Sequence, residues 1–438
     1  MLKILSNRTY RHLLMAQIIA LLGTGLATVA LGLLAYDLAG PNAGAVLGTA
    51  LAIKMLAYVG VAPIAAAFAE HWPRRAMLVT LDLLRAGVAL ALPFVTQIWQ
   101  VYVLVFVLQA ASASFTPTFQ ATIPDVLPDE DDYTKALSLS RLAYDLESLV
   151  SPMLAAALLT VISFHSLFAG TVIGFLVSAV LVVSVVLPQP AALARRSIYE
   201  RTTRGIRIYL ATPRLRGLLA FNLAVAAASA MVIVNTVVLV QARFGLGPRE
   251  TAMALAAFGG GSMVAALALP KLLTVVPDRT AMLAGAGLLV LGMPLGALLD
   301  SLWPLLALWF VLGIGYSTVQ TPTGRLLRRS SNAQDRAALF AAQFALSHSC
   351  WLLTYPLAGW LGARVGLAPT FLVFSLLAAI AVVFASRQWP AHDPDELAHS
   401  HDALGPDHPH VAGHGRKAGE HVHHYVFDDL HTKWPREP

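Results

Sequence analysis

Apolar runs of roughly 20 residues recur from Leu13 to about residue 388, broken only by short polar connections. A helix of that length rises about 30 Å, the thickness of a bilayer's hydrocarbon core. The 438-residue chain is 57% hydrophobic and 12% charged, too few charges to cover that much apolar surface in water. Spans are predicted at 12–36, 43–69, 76–96, 99–121, 135–162, 166–187, 216–241, 249–270, 279–299, 302–324, 336–361 and 366–387. The expected fold class is an all-α membrane protein with 12 transmembrane helices in two six-helix bundles. Residues 1–187 form the first bundle, 188–215 a cytoplasmic linker, 216–388 the second bundle and 389–438 a disordered, His-rich cytoplasmic tail. The first run, from Leu13 to Tyr36, is too long for a signal-peptide core, so no cleavable leader is expected. The single cysteine, Cys350, excludes a disulfide framework and Cys-rich metal clusters.

The net charge of +6 is distributed by topology. One set of loops and termini carries Lys3, Arg8 and Arg11; Arg74 and Arg75; seven arginines between Arg195 and Arg216; Lys271 and Arg279; and Arg325, Arg328, Arg329 and Arg336. The alternate loops hold only Arg243, Arg249 and Arg364. Basic residues stay inside, which puts both termini in the cytoplasm. The expected location is a bacterial inner membrane, with the bilayer and no nucleic acid as partner. The linker's "ARRSIYERTTRGIRIYL" reads either as a basic amphipathic helix on the inner leaflet or as a solvated connection. Two bundles around a midplane site suggest alternating access, although no convincing sequence repeat relates them.

The connection between spans 2 and 3, "AAFAEHWPRRAML" (66–78), resembles the loop motif of the major facilitator superfamily. Ala69, Arg74, Arg75 and Leu78 match that motif, and Glu70 keeps its carboxylate. The resemblance implies that Glu70, Arg74 and Arg75 hold neighbouring helix ends together as a gating motif. Span 5 carries "ESLVSPMLAA" (147–156), where proton-driven drug antiporters of this superfamily have a glycine-rich run; Pro152 matches and Glu147 replaces a glycine. The arginine usual in span 4 of proton-coupled members is absent, Phe106 lying there instead. "FTPTFQATIPDVLP" (115–128) resembles the branch of siderophore and small-molecule exporters, and the His-rich tail on such a core resembles the bacterial nickel-resistance exporters.

An ionised group at the centre of a span costs on the order of 2.5–3.5 kcal/mol on insertion scales, so each needs a partner or a purpose. Candidate transport and proton-coupling residues are Lys54, Asp82, Arg85, Arg141, Asp145, Glu147 and His348. Counting roughly 1.5 Å per residue from the span ends places Lys54, Glu147 and His348 about 18–22 Å deep, near the midplane. Asp82 with Arg85, and Arg141 with Asp145, are spaced to neutralise each other on one helical face; serving transport is the alternative for both. Glu147 lies about 200° round the helix from Asp145, which leaves Lys54 as its candidate partner. His348 is either a hydrogen-bonded interior histidine or, with Cys350, a donor to a metal.

Ten of the fourteen histidines lie between His392 and His431. His399, His401, His408, His410, His414, His421, His423 and His424, among carboxylates, form a candidate ligand set for Ni(II), Co(II), Zn(II) or Cu(II). The closing "YVFDDLHTKWP" has enough apolar residues to dock on the bundle. The expected function is a secondary exporter of divalent transition-metal ions, nickel or cobalt, exchanged for protons. Its alternative is export of a siderophore, drug or other small organic molecule with the tail regulatory; a metal sensor without flux is a further class. No phosphate-cradling loop or nucleophile–base pattern points to an enzyme. No cofactor is expected, the metal being cargo or tail ligand, and a monomer is expected.

Overall fold

The computed structural model describes residues 2–69, 73–187, 198–332, 335–394 and, in the tail, 396–399, 415–417, 420–427, 430, 431 and 434. Its helices are α1 (Arg8–Ala39), α2 (Ala43–Ala69), α3 (Arg74–Ala91), α4 (Ile98–Val126), α5 (Glu130–Leu158) and α6 (Phe164–Val183). Then come α7 (Ile198–Ala211), α8 (Pro213–Val237), α9 (Pro248–Leu272), α10 (Asp278–Gly292), α11 (Leu302–Gln320), α12 (Thr323–Arg329), α13 (Arg336–Val365) and α14 (Leu367–Gln388). All but α7 and α12 coincide with the twelve predicted spans.

Local chemistry sets the boundaries. Asn7 caps α1 by accepting from the Tyr10 backbone N–H at 3.0 Å, and Asp129 caps α5 through Asp132 at 2.9 Å. That acidic cap starts α5 at Glu130, five residues before the expected 135, because hydropathy does not register a solvated first turn. At the junction of α13 and α14, Gly366 has φ 89°, a left-handed conformation that glycine adopts without a Cβ penalty.

Among the described residues, nine stretches are long and apolar enough to cross a membrane, the first running through both α1 and α2.

Within α1–α6, α1 packs on α5 and α6, and α3 on α4 and α6. The second set is built on α8, whose Ala224–Ala230 stretch is fully buried and lets α13 approach closely. Trp351 Nε1 donates to Ser229 Oγ at 2.9 Å, Thr354 Oγ1 to the Ala226 carbonyl at 3.2 Å, and Asn235 Nδ2 to the Ala358 carbonyl at 3.2 Å. Asn235 thus joins helices, whereas Asn222 donates only to Leu218 of its own helix.

The main connections between the sets are α2 with α13 and α5 with α9, and α1 and α2 also touch α8. In the first pair, a Cβ at Gly48 would collide with the Tyr355 carbonyl, and one at Gly359 with the Gly44 carbonyl. Gly359→Leu should therefore wedge α2 away from α13 without disturbing the interior of either set. In a Cys350→Ser background, a cysteine at Ala45, which touches Gly359, is expected to be labelled by aqueous maleimide severalfold faster once the leucine is present; an unchanged rate would show that the contact does not hold the sets together.

Of the linker, Ile198–Ala211 are helical, and 188–197 lie outside the described residues. α7 turns Gly205, Ile208 and Tyr209 inward and packs along α13. Arg204 grips Asp335 through two bonds, Nε at 2.6 Å and Nη2 at 2.9 Å, and Tyr209 Oη donates to Gln343 Oε1 at 2.5 Å. A helix is present over Ile198–Ala211, with its inner face committed to α13 and Arg207 and Leu210 outward. Arg204→Ala is expected to loosen α7, read as faster tryptic cleavage at Arg207 with the unfolding temperature nearly unchanged, since a half-exposed ion pair contributes about 1 kcal/mol or less.

In the tail, β1 (Glu396–His399), β2 (Gly415–Lys417) and β3 (Glu420–His424) form an antiparallel sheet in the order β1-β3-β2. Composition alone pointed to disorder; the described residues are ordered by strand pairing, His399 opposite His421, and by burial of Tyr425 and Phe427. The expected docking of the closing aromatic segment is present.

Candidate functional site

Lys54 and Tyr58 lie one turn apart on α2, and the ammonium sits over the Tyr58 ring at 5.7 Å. Across the junction, Tyr58 meets His348 of α13 edge-on at 5.6 Å and Phe344 at 6.0 Å. His348 Nδ1 lies 2.7 Å from the Phe344 carbonyl and must donate to it, which in the neutral ring makes Nε2 the acceptor. Glu147 reaches in from α5 beside Gly25 of α1, where the absent side chain lets the helices close up; Ser151 Oγ donates to the Leu22 carbonyl at 3.4 Å one turn on. Lys54 and Glu147 act on each other's charge, yet no direct ion pair joins them among the described residues. The three midplane residues are thus brought into one region, with Tyr58, which hydropathy could not single out, linking two of them.

Two small pockets open off this region. One of about 20 Å³ is lined by Lys54, Thr24, Thr28 and Gln109, the other of about 40 Å³ by Gln17, Thr24, Tyr58, Arg85 and Ser112. Among the described residues, Gln17 Oε1 and Gln109 Oε1 are buried without a protein hydrogen-bond partner, and buried acceptors of this kind take water. The pockets accommodate water, not a drug-sized ligand.

Asp82 and Arg85 form an ion pair within α3, both buried. Ser178 of α6 donates to Asp82 Oδ2 at 2.7 Å, and the guanidinium lies between Phe115 at 4.2 Å and Phe175 at 4.5 Å. The pair ties α3, α4 and α6 together, while Arg85 also borders the larger pocket. The side chains of Arg141 and Asp145 lie outside the described residues.

His348 and Cys350 do not converge, which corrects the joint-donor reading. Two residues apart on a helix, they diverge by about 200°. His348 faces Tyr58 of α2, while Cys350 is buried and donates only to the Leu346 carbonyl at 3.6 Å. Among the described residues no group of three or more His, Cys, Asp or Glu gathers as a metal cage.

At the loop between α2 and α3, Arg74 pairs with Asp125 at the end of α4 and Arg75 donates to the Val183 carbonyl at the end of α6. Glu70 lies outside the described residues. The same construction recurs in the second set. Arg279 donates to the carbonyls of Trp389 at 2.8 Å and Ser386 at 3.1 Å at the end of α14, and Asp278 pairs with Arg325 of α12 at 3.7 Å. The acid and base of the second ion pair are exchanged relative to Arg74–Asp125. Sequence reasoning missed this counterpart, although Pro73-Arg74-Arg75-Ala76-Met77-Leu78 and Pro277-Asp278-Arg279-Thr280-Ala281-Met282-Leu283 carry its trace.

Two six-helix sets with matched clamps and ionisable groups where they meet agree with the family model for the Major Facilitator Superfamily, which matches residues 13–273 and 219–409. The chain belongs to the major facilitator superfamily. It is a multi-pass membrane transporter. The MFS-type transporter YfiS of Bacillus subtilis strain 168 is 23% identical over 382 residues, covering 83% of this chain and 89% of that protein. Macrolide efflux protein A of Enterococcus faecalis is 25% identical over 153 residues, 33% of this chain and 47% of that protein. Among solved structures, a bacterial homologue of the human lysosomal transporter spinster, inward-facing and unoccupied, has a TM-score of 0.69 at 13% identity, covering 88% of this chain and 99% of that one. The nucleoside transporter NupG has a TM-score of 0.63 at 13% identity, covering 87% and 98%. These structures share the fold.

Of the expected tail ligands, His401, His408, His410 and His414 lie outside the described residues, His399, His421 and His424 are described by their backbone alone, and His423 in full.

Proposed function

We propose that this major facilitator protein is an inner-membrane exporter that exchanges a cationic cargo for protons at the junction of α2, α5 and α13, with both termini cytoplasmic. The observation that carries this reading is the placement of Lys54, Glu147 and, through Tyr58, His348 at the meeting of the two sets. Glu147 serves as the exchangeable carboxylate: it holds a proton or the cargo by turns, and Lys54 occupies its field when neither is bound. His348, edge-on to Tyr58, reports which arrangement the two sets adopt, because parting α2 from α13 separates those rings. In the orientation given by the basic loops, the tight Gly44–Gly359 contact lies at the outer end, so this arrangement is closed to the outside.

Carrying two positive charges outward against 100 mV costs about 4.6 kcal/mol, at about 2.3 per charge, and two inward protons cancel that electrical term. A nickel or cobalt ion is the cargo the histidine-rich tail favours, with the tail as collector. A small organic cation is the cargo favoured by the aromatic rings of Tyr58, Phe344 and Trp351 grouped around His348 and by the likeness to macrolide efflux protein A. Asp145 and Asp82 are secondary proton carriers in this scheme. Proteoliposomes with an imposed pH gradient, given Ni(II), Co(II), Zn(II) and a lipophilic organic cation in turn, test it. Proton movement triggered by one of these classes supports the reading, and cargo movement with no linked proton flux under any of them removes it.

A further inference from the structure

Away from the membrane-embedded interior, two histidine rings meet below the second helix set. His423 of β3 and His431 have ring centroids 5.1 Å apart with planes inclined at 63°. His431 is 3% exposed, and Tyr425 packs edge-on against it at 4.7 Å. Tyr425 and Phe427 in turn hold Trp434 at 5.2 and 5.9 Å. The Trp434 ring carries the Arg214 guanidinium at 5.3 Å, and Arg214, in the first turn of α8, is paired with Asp393 at 3.2 Å. A continuous set of contacts therefore runs from the two imidazoles to the start of a central transmembrane helix.

The spacing of the rings is informative. Two imidazoles on one tetrahedral divalent ion, each with a metal–nitrogen bond of about 2.0–2.1 Å, have centroids about 5 Å apart. Neutral imidazole suits Co(II), Ni(II), Zn(II) and Cu(II) alike. We propose that His423 and His431 form a two-imidazole site for a divalent transition-metal ion, and that its occupancy holds the closing aromatic segment against Arg214. Water or further donors complete the coordination. His431 stands outside the ligand set expected from histidine spacing, because six residues separate it from His424. The site rests on the tail's reading as a metal binder and not on the identity of the cargo, so its test measures binding and docking without flux.

The experiment uses the full-length protein in detergent with His399, His401, His408, His410, His414, His421 and His424 changed to Gln. Co(II) is the probe, and its visible absorption reports coordination. This chain is expected to bind one equivalent of Co(II), which slows tryptic cleavage after Lys433. His431→Phe and His423→Phe, made in the same background, keep an aromatic ring but lose a ligand. Each should weaken Co(II) binding by more than the roughly 10–100-fold typical of losing an outer hydrogen-bond partner, and abolish the metal-dependent protection. Should His431→Phe already be cleaved rapidly without metal, His423→Phe decides the question. Failure of the seven-substituted chain to bind Co(II) stoichiometrically, or unweakened binding by the Phe variants, would overturn the site. Neither outcome bears on proton-linked transport.

Discussion

Glu147→Gln is expected to eliminate proton-driven accumulation of cargo in vesicles while leaving a folded protein that still exchanges cargo for cargo down its own gradient. Glutamine keeps the shape and hydrogen-bonding reach of the side chain but carries neither the charge nor the exchangeable proton. One pH unit across the membrane is worth about 1.4 kcal/mol per proton, or about tenfold in the cargo gradient, so the variant loses about that factor for each proton no longer coupled. The measurement is the steady-state cargo ratio as a function of the imposed pH difference. A slope equal to that of the unmodified protein would remove Glu147 from the coupling step. Lys54→Gln separates two roles for the neighbouring cation. If Lys54 serves as an internal occupant of the Glu147 field, its loss should tighten cargo binding and slow release.

Asp82→Ala is expected to be the most destabilising single change among the interior residues, by about 3–5 kcal/mol. Its removal leaves Arg85 charged between Phe115 and Phe175 with its carboxylate partner gone, and strips Ser178 of its acceptor. Asp82→Asn with Arg85→Gln should be far milder, because removing both charges together leaves none uncompensated. Unfolding temperatures of the detergent-solubilised variants test this. Proton-coupled transport by the double variant then decides between the two roles left open for Asp82: retained coupling makes the pair a structural tie among α3, α4 and α6, and lost coupling restores it as a proton carrier.

Much of the candidate site was legible because the bilayer makes polarity expensive. Lys54, Glu147 and His348 stand out in apolar surroundings, and counting residues from span ends placed them at one depth. Tyr58 did not stand out, since an aromatic residue in an apolar helix is ordinary; only the approach of α13 gives its ring a role. The i, i+3 spacing of Asp82 and Arg85 allowed their pairing but could not reveal the aromatic slot from α4 and α6. His348 and Cys350 looked like a joint donor set because adjacency along the chain says little about direction on a helix. The clamp at Asp278, Arg279 and Arg325 escaped because its ion pair has exchanged signs, so the two motifs match in construction more than in letters.

Hydrophobic periodicity and turn chemistry, both local to the chain, determined the twelve long apolar helices and where they begin and end. Membrane insertion acts on each span in turn, which is why that part needs no tertiary information. Which helices from different sets touch was decided by tertiary packing: Gly48 and Gly359 bring backbones together, α7 commits its inner face to α13, and Tyr425, Phe427 and Trp434 seat the tail on Arg214. Such contacts depend on shape matching between surfaces distant in sequence, and no local pattern encodes the partner.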